Sequence, residues 1–224
     1  MEIDIQHLKF KHPCTVKVSG PSYSGKTFLL RNILKNFKIL FHFNEDVDEL
    51  HVLWAYGVWQ DLYDSPITHD VSVQYIDYLP SQQELRDSKI HVLVLDDLMS
   101  SLKNNEKLSD IFTKYSHHFN ISVFFVTQNT FAQGKAMRDV CTNCKYMIQM
   151  KSPADKAQIM YLARKIFPHN SKYFMESYTD ATNSDYGYIR LDLSQSTPDK
   201  FRITSRLTPE ENNGIFAPII YIEK

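Results

Sequence analysis

One eight-residue segment constrains the fold of this chain more than any other. Residues 20–27 read GPSYSGKT, a complete G-x-x-x-x-G-K-[ST] pattern. A strand-like run at 15–19 precedes the segment, and a helix-like run at 27–34 follows it. In that order, a glycine-containing turn presents its backbone N–H groups to phosphate oxygens at the positive end of a helix dipole. The pattern therefore predicts a phosphate-binding loop inside an α/β domain.

We expect the whole loop to bind a nucleoside triphosphate. Lys26 would reach the β- and γ-phosphates, and the Thr27 hydroxyl would ligate Mg²⁺. ATP and Mg²⁺ are therefore the predicted cofactors. The predicted binding residues are Gly20, Pro21, Ser22, Tyr23, Ser24, Gly25, Lys26 and Thr27.

Strand and helix patterns alternate after this loop, as they do in βαβ units. Two strand candidates, 90–95 and 121–127, contain almost continuously apolar runs at 91–95 and 121–126, which is typical of strands buried on both faces of a parallel sheet. Shorter candidates at 187–192 and 201–205 predict an antiparallel addition at the sheet edge. The other strand candidates are 50–55, 71–76 and 145–150, and the helix candidates are 26–36, 81–87, 107–117 and 155–167. These patterns predict an α/β fold with helices flanking a mainly parallel central sheet.

Two adjacent carboxylates follow the first of these apolar strands. Asp96 would hold Mg²⁺ through its water shell, and Asp97 would polarise the attacking water. Many ATPases carry Glu at the second position, and Asp is one methylene shorter. The alternative interpretation is an acidic cap on a following helix. An intact phosphate-binding loop upstream favours the metal site.

The second apolar strand ends in polar residues. Gln128 is the candidate sensor of the γ-phosphate, with Asn129 as the second choice. The chain order of loop, acid-tipped strand and polar-tipped strand predicts that the last lies between the other two. That arrangement defines the additional-strand, RecA/FtsK-like branch of P-loop NTPases rather than the nucleoside-kinase branch.

Composition limits the partners and the compartment. The net charge of the 224 residues is −1, so any contact with DNA must come from a local patch or a ring of identical loops. The three cysteines, an odd number, suggest a reducing compartment, and Cys141 and Cys144 form a weak C-x-x-C motif. Because neither a signal peptide nor a membrane-spanning apolar run is visible, we expect a soluble intracellular protein.

Several segments together resemble a known family. They are the loop at 19–27, the strand end at 93–99, Ser116-His117-His118 followed by 121–123, the strand end at 126–129, and Asn143-x-x-Tyr146. In this order they resemble the genome-packaging ATPases of Polinton/Maverick elements, adintoviruses and related large DNA viruses, which belong to the FtsK/HerA superfamily. The resemblance runs from about Val16 to Arg206.

The resemblance implies an ATPase that assembles as a homo-oligomeric ring and translocates double-stranded viral DNA into a capsid. Its partners would be DNA, bound without sequence specificity, and capsid or portal-vertex proteins, in an infected host cell and in association with the virion. It supports Lys26, Asp97 and Gln128 as catalytic residues. It also points to Arg138 as an arginine finger that acts on the neighbour's nucleotide. Rival fingers are Arg164, Arg190, Arg202 and Arg206.

Domain organisation and function leave alternatives open. We expect one ATPase domain over residues 1–206 and a tail, 207–224, that docks on its own subunit or on a neighbour. Loops at 103–107 and 133–135 are candidates for DNA contact, and 37–80 has no assigned role. The alternative functions are a replication helicase or initiator-type ATPase, a phosphotransferase, and a nucleotide-gated interaction module without turnover.

Overall fold

The computed structural model describes residues 5–98, 106–131 and 135–223. The strands of these ranges are β1 Phe10–Lys11, β2 Thr15–Ser19, β3 Phe41–His42, β4 Leu50–Tyr56, β5 Val71–Ile76, β6 Val92–Asp96, β7 Ser122–Thr127, β8 Tyr146–Met150, β9 Tyr188–Asp192, β10 Ile203–Ser205 and β11 Ile219–Tyr221. The helices are α1 Lys26–Lys35, α2 Phe37–Leu40, α3 Gln82–Asp87, α4 Glu106–Asp110, α5 Ser116–His118, α6 Lys135–Asn143, α7 Lys156–Ile166 and α8 Ser171–Ala181. A π-helical segment, Ile111–Tyr115, joins α4 to α5.

Within the described residues, nine strands form one sheet in the order β11-β10-β9-β8-β2-β7-β6-β4-β5. The six strands from β8 to β5 run parallel. Strands β9, β10 and β11 continue the sheet in antiparallel fashion. The predicted mainly parallel sheet with an antiparallel C-terminal edge is therefore confirmed. The segment after Leu207 supplies β11, which pairs with β10 of its own chain.

Strand β7 lies between β2, which leads into the predicted phosphate-binding loop, and β6, which ends at Asp96. This is the additional-strand order that the sequence predicts. The register pairs Ser19 with Thr127 and Asp96 with Val126. The carboxyl ends of the three strands therefore lie side by side, where open parallel sheets bind their ligands.

Alternate residues of the central strands point to opposite faces, so each face has its own core. On one face, α1 and α2 pack on residues such as Val18, Trp54 and Phe124. On the other face, the helical segments that follow β5 and β6 pack with α6 on residues such as Leu95 and Phe125. A third cluster lies under α7 and α8 and covers the antiparallel edge. Because both faces are covered, β6 and β7 are wholly buried, as their apolar sequences predict.

Local sequence explains where three of the described helices start. Ser81 and Glu84 form a reciprocal capping box at the start of α3, and the Asp155 side chain caps α7. Three helices, α2, α6 and α8, were not predicted. The start of α8 is capped by Asn170, whose side chain accepts from the Tyr173 N–H. The motif at 168–170, interpreted as a helix stop, therefore also starts the next helix.

No described helix is long and apolar enough to cross a membrane. The two loops that we expect to contact DNA fall mainly on residues 103–105, 133 and 134, which lie outside the described part of the chain.

Candidate active site

The predicted phosphate-binding loop joins β2 to α1 and borders a cleft of about 530 Å³. Gly25 has a φ of 86°, and a Cβ at this position would lie 3.1 Å from the Tyr186 ring. Glycine therefore meets two requirements, a left-handed backbone and a close neighbour. The Ser24 hydroxyl is buried and has no hydrogen-bond partner among the described residues. A buried polar atom without a partner fits a loop whose ligand supplies one.

Lys26 folds back onto its own loop. Its Nζ donates to the carbonyl oxygens of Gly20, at 2.9 Å, and Pro21, at 2.7 Å. An ammonium group has three N–H donors, so one remains for a ligand in the cleft. Burial lowers the pKa of Lys26, and the negative charges of Asp96 and Asp97 act in the opposite direction. The two carboxylates therefore favour the charged form of Lys26, against the effect of burial.

Thr27 and Asp96 meet as the sequence predicts. The Thr27 hydroxyl donates to Oδ2 of Asp96 at 3.2 Å. Asp96 is only 2% exposed, and burial raises its pKa, while hydrogen bonds from Tyr63 and Thr27 act in the opposite direction. A hydroxyl and a carboxylate beside a phosphate-binding loop are the hard oxygen donors that Mg²⁺ prefers. The donor set therefore fits the predicted ion.

Asp97 and Gln128 also meet. The Gln128 Nε2 donates to the two carboxylate oxygens of Asp97, at 3.3 and 3.4 Å. Both side chains line the cleft, together with Ser22 and Tyr23 of the loop. Tyr23 is 99% exposed, so its ring stands free of the protein interior. Asp97 has a φ of 55°, in the left-handed region of the backbone. Its side chain contacts Gln128, whereas the side chain of buried Asp96 contacts Thr27.

The structure does not bring Arg138 into this cleft. Arg138 is exposed on α6 and borders a different cleft, of about 630 Å³, with Tyr161 and Lys165. Among its rivals, Arg190 is wholly buried, with its guanidinium 4.6 Å from the centre of the Tyr146 ring. Arg202 is held by Asp199 at 2.6 Å. Arg164 and Arg206 are exposed, as are His117 and His118.

Sequence reasoning missed two residues of this site, Gly57 and Tyr63. The Gly57 N–H donates to the Asp96 carbonyl at 2.9 Å, and a Cβ at Gly57 would overlap the Asp97 carbonyl oxygen. The sequence does offer one indication for Gly57. A lone glycine directly after a strand, here β4, can indicate that another backbone segment comes close. The Tyr63 hydroxyl donates to Oδ2 of Asp96 at 2.9 Å, and no pattern in the sequence pointed to it.

The close approach at Gly57 gives a first prediction. In Gly57→Ala, the new methyl group must displace the backbone of Asp97, so we expect turnover of ATP to fall by up to about 10²-fold. Nucleotide affinity should change much less, because the loop at 20–27 is not displaced. The measurement is steady-state turnover together with equilibrium binding of a fluorescent ATP analogue.

The control is Gly214→Ala. Gly214 has a positive φ, of 83°, and a Cβ there meets no atom within 4 Å. This control therefore adds a backbone penalty of its own, which Gly57→Ala does not carry, but makes no contact at the cleft. Equal turnover by both variants would show that the separation of Gly57 from Asp97 does not matter for catalysis.

The fold and the grouping of loop, hydroxyl and carboxylates define the class: this is a P-loop NTPase fold. The sequence matches no protein-family model and no curated protein. Solved structures do match it. One is the genome packaging NTPase B204 from Sulfolobus turreted icosahedral virus 2 in complex with sulfate, with a TM-score of 0.53, 12% identity, and coverage of 95% of this chain and 97% of that chain.

The same viral NTPase in complex with ATP-gammaS gives a TM-score of 0.52 at 15% identity, with 86% of this chain and 96% of that chain covered. Its complex with AMP gives 0.50 at 13% identity, with 95% and 98% covered. At such identities the likeness is one of fold, and it extends over nearly the whole of both chains.

Proposed function

We propose that this chain is an ATP-hydrolysing motor that translocates double-stranded DNA into a viral capsid as an oligomeric ring. The observation that carries the proposal is the meeting of Thr27, Asp96, Asp97 and Gln128 at the mouth of the phosphate-binding loop. The fold shared with a viral genome packaging NTPase supports it. So does the sequence resemblance to packaging ATPases of the Polinton/Maverick and adintovirus type in the FtsK/HerA superfamily.

ATP would bind with its phosphates on the loop at 20–27. The backbone N–H groups and the start of α1 supply positive potential there, and Lys26 exchanges contacts with loop carbonyls for contacts with phosphate. Thr27 and Asp96 would hold Mg²⁺. The bound ion would neutralise negative charge that develops on the transferred phosphoryl group.

Asp97 would orient and polarise the attacking water. Its carboxylate accepts from Gln128 at both oxygens, at distances long enough to be exchanged for a water. Gln128 can then turn its amide toward the γ-phosphate, which links the presence of the phosphate to the position of Asp97. Positioning and charge stabilisation account for most of the catalysis in phosphoryl transfer.

Assembly would complete the site. Since Arg138 lies outside the cleft of its own subunit, it would act on the nucleotide of a neighbour. A ring would also explain how a protein with a net charge of −1 can bind DNA. A few lysines per subunit, repeated around a pore, contact phosphates without reading bases. The further partners are capsid or portal-vertex proteins of an infected cell.

The test is ATP turnover by the wild-type chain with and without double-stranded DNA of unrelated sequences. We expect turnover that DNA stimulates regardless of sequence, and native mass spectrometry with a non-hydrolysable analogue should detect a closed ring. Absence of turnover under every oligomerising condition, alone or with capsid components, contradicts the proposal. Tight ATP binding without hydrolysis would instead favour a nucleotide-gated interaction module, and unwinding of a forked duplex would favour a helicase.

A further inference from the structure

The segment between β4 and β5 reaches the carboxylate that ends β6. A 3-10 turn, Asp61–Asp64, carries Tyr63, whose hydroxyl lies 2.9 Å from Oδ2 of Asp96. Both residues are buried, with Tyr63 4% and Asp96 2% exposed. Thr27 donates to the same oxygen at 3.2 Å. Both donors therefore bond to the same carboxylate oxygen, and neither of them occupies Oδ1.

Hydrogen bonds from Arg31 and contacts between aromatic rings hold this turn in place. Arg31, on the helix that follows the phosphate-binding loop, donates through Nη2 to the carbonyls of Ser65, at 2.9 Å, and Pro66, at 3.2 Å. Its Nη1 donates to the Tyr75 hydroxyl at 3.4 Å. Buried charged side chains with several hydrogen bonds hold a defined geometry. The turn is thus tied to α1, which carries Lys26 and Thr27.

Aromatic rings hold Tyr63 from several sides. The Tyr75 ring stacks on it with centroids 4.9 Å apart, and Trp54, Trp59 and Tyr56 lie at 5.5, 5.4 and 5.8 Å. Ring pairs at these separations restrict the orientation of each ring. The ring of Tyr63 is therefore held in an orientation in which its hydroxyl bonds to Asp96.

We propose that Tyr63 is a positioning residue, whose hydroxyl holds Oδ2 of Asp96 and leaves Oδ1 directed to the metal that Asp96 and Thr27 would hold. The inference rests on the proposed function and deepens it. It also gives a role to the region 37–80, which the sequence left unassigned.

Tyr63 is needed because it and Thr27 donate to the same oxygen of Asp96, Oδ2. If Thr27 turns its hydroxyl to Mg²⁺, Asp96 loses one of the two donors on Oδ2. Tyr63 then remains as the donor that keeps the carboxylate from rotating. Outer partners of this kind commonly contribute about 10–100-fold to metal affinity. Tyr63 touches neither nucleotide nor water in this scheme and acts only through Asp96.

The experiment compares Tyr63→Phe with Tyr56→Phe. Both variants keep their ring within the aromatic cluster, but only the first removes a hydroxyl that bonds to Asp96. Equilibrium binding of a fluorescent non-hydrolysable ATP analogue is measured in EDTA and across a Mg²⁺ titration. The quantity of interest is the Kd in EDTA divided by the Kd in saturating Mg²⁺, which reports the coupling between metal and protein without any turnover.

We expect this ratio to fall by about 10-fold or more in Tyr63→Phe, with the Kd in EDTA unchanged. In Tyr56→Phe, both quantities should equal those of the wild type. An unchanged ratio in Tyr63→Phe overturns the inference, and so does an equal loss of binding in EDTA and in Mg²⁺, since that result indicates a structural role. A wild type that binds the analogue without any Mg²⁺ effect overturns this inference alone, whereas a wild type that does not bind overturns the proposed function as well.

Discussion

Replacing Asp97 with Asn is expected to leave ATP binding intact and to lower turnover by about 10²–10⁴-fold, the range usual for loss of a general base. The substitution removes the charge and keeps the shape. The remaining carbonyl oxygen can still accept from the Gln128 amide, which lies 3.3 and 3.4 Å from the two carboxylate oxygens. What is lost is the ability to draw a proton from water.

The backbone conformation at residue 97 accepts Asn as well as Asp. Asp97 has a φ of 55°, a region that few side chains tolerate, but Asn adopts it as readily as Asp does. The new amide side chain should therefore occupy the native position without strain. Binding of the ATP analogue should match the wild type because the loop and Thr27 are unaffected.

The matched control is Asp64→Asn. Asp64 is an exposed carboxylate on the turn that carries Tyr63, and its removal changes the net charge by the same amount. Single-turnover measurements separate the chemical step from binding and release. Normal turnover by Asp97→Asn would show that another group activates the water. A loss of binding would show that Asp97 acts on the nucleotide in the ground state.

The sequence predicted the central sheet well because its signals are local. The loop pattern at 20–27 and the apolar runs of β6 and β7 report burial and backbone geometry directly. The placement of β7 between β2 and β6 followed from chain order, and the register then brings Asp96 and Thr127 to one edge. Candidate residues at the ends of these strands were therefore found together.

The rest of the site depends on contacts between distant parts of the chain. Tyr63 and Asp96 are separated by 33 positions, and nothing in the sequence near Tyr63 shows that its turn folds back against β6. The lone glycine at 57 signals that another backbone comes close, but the sequence does not show that the neighbour is Asp97. Helix α6 was missed because only three residues of this nine-residue helix, Ala136, Met137 and Val140, are buried, which is too few to give a clear helical period in the sequence.

Replacing Arg138 with Ala is expected to lower turnover in the assembled ring by about 10³–10⁵-fold if Arg138 is the trans-acting finger. The reason is geometric. Arg138 is exposed on α6 and borders a cleft other than the one formed by the loop at 20–27. A side chain in that place can neutralise charge on a transferred phosphoryl group only if it belongs to the next subunit. Nucleotide binding by the isolated chain should therefore not change.

Mixing two inactive variants distinguishes a trans role from a role within one subunit. In a ring built from Lys26→Ala and Arg138→Ala subunits, some interfaces pair an intact loop on one subunit with an intact Arg138 on the next. These interfaces should restore part of the turnover, whereas each variant alone stays inactive. Arg164→Ala is the control, because Arg164 is equally exposed, on α7. If Arg164→Ala shows the large loss and Arg138→Ala does not, the finger is Arg164, and the face of the subunit that meets its neighbour's nucleotide is the α7 side.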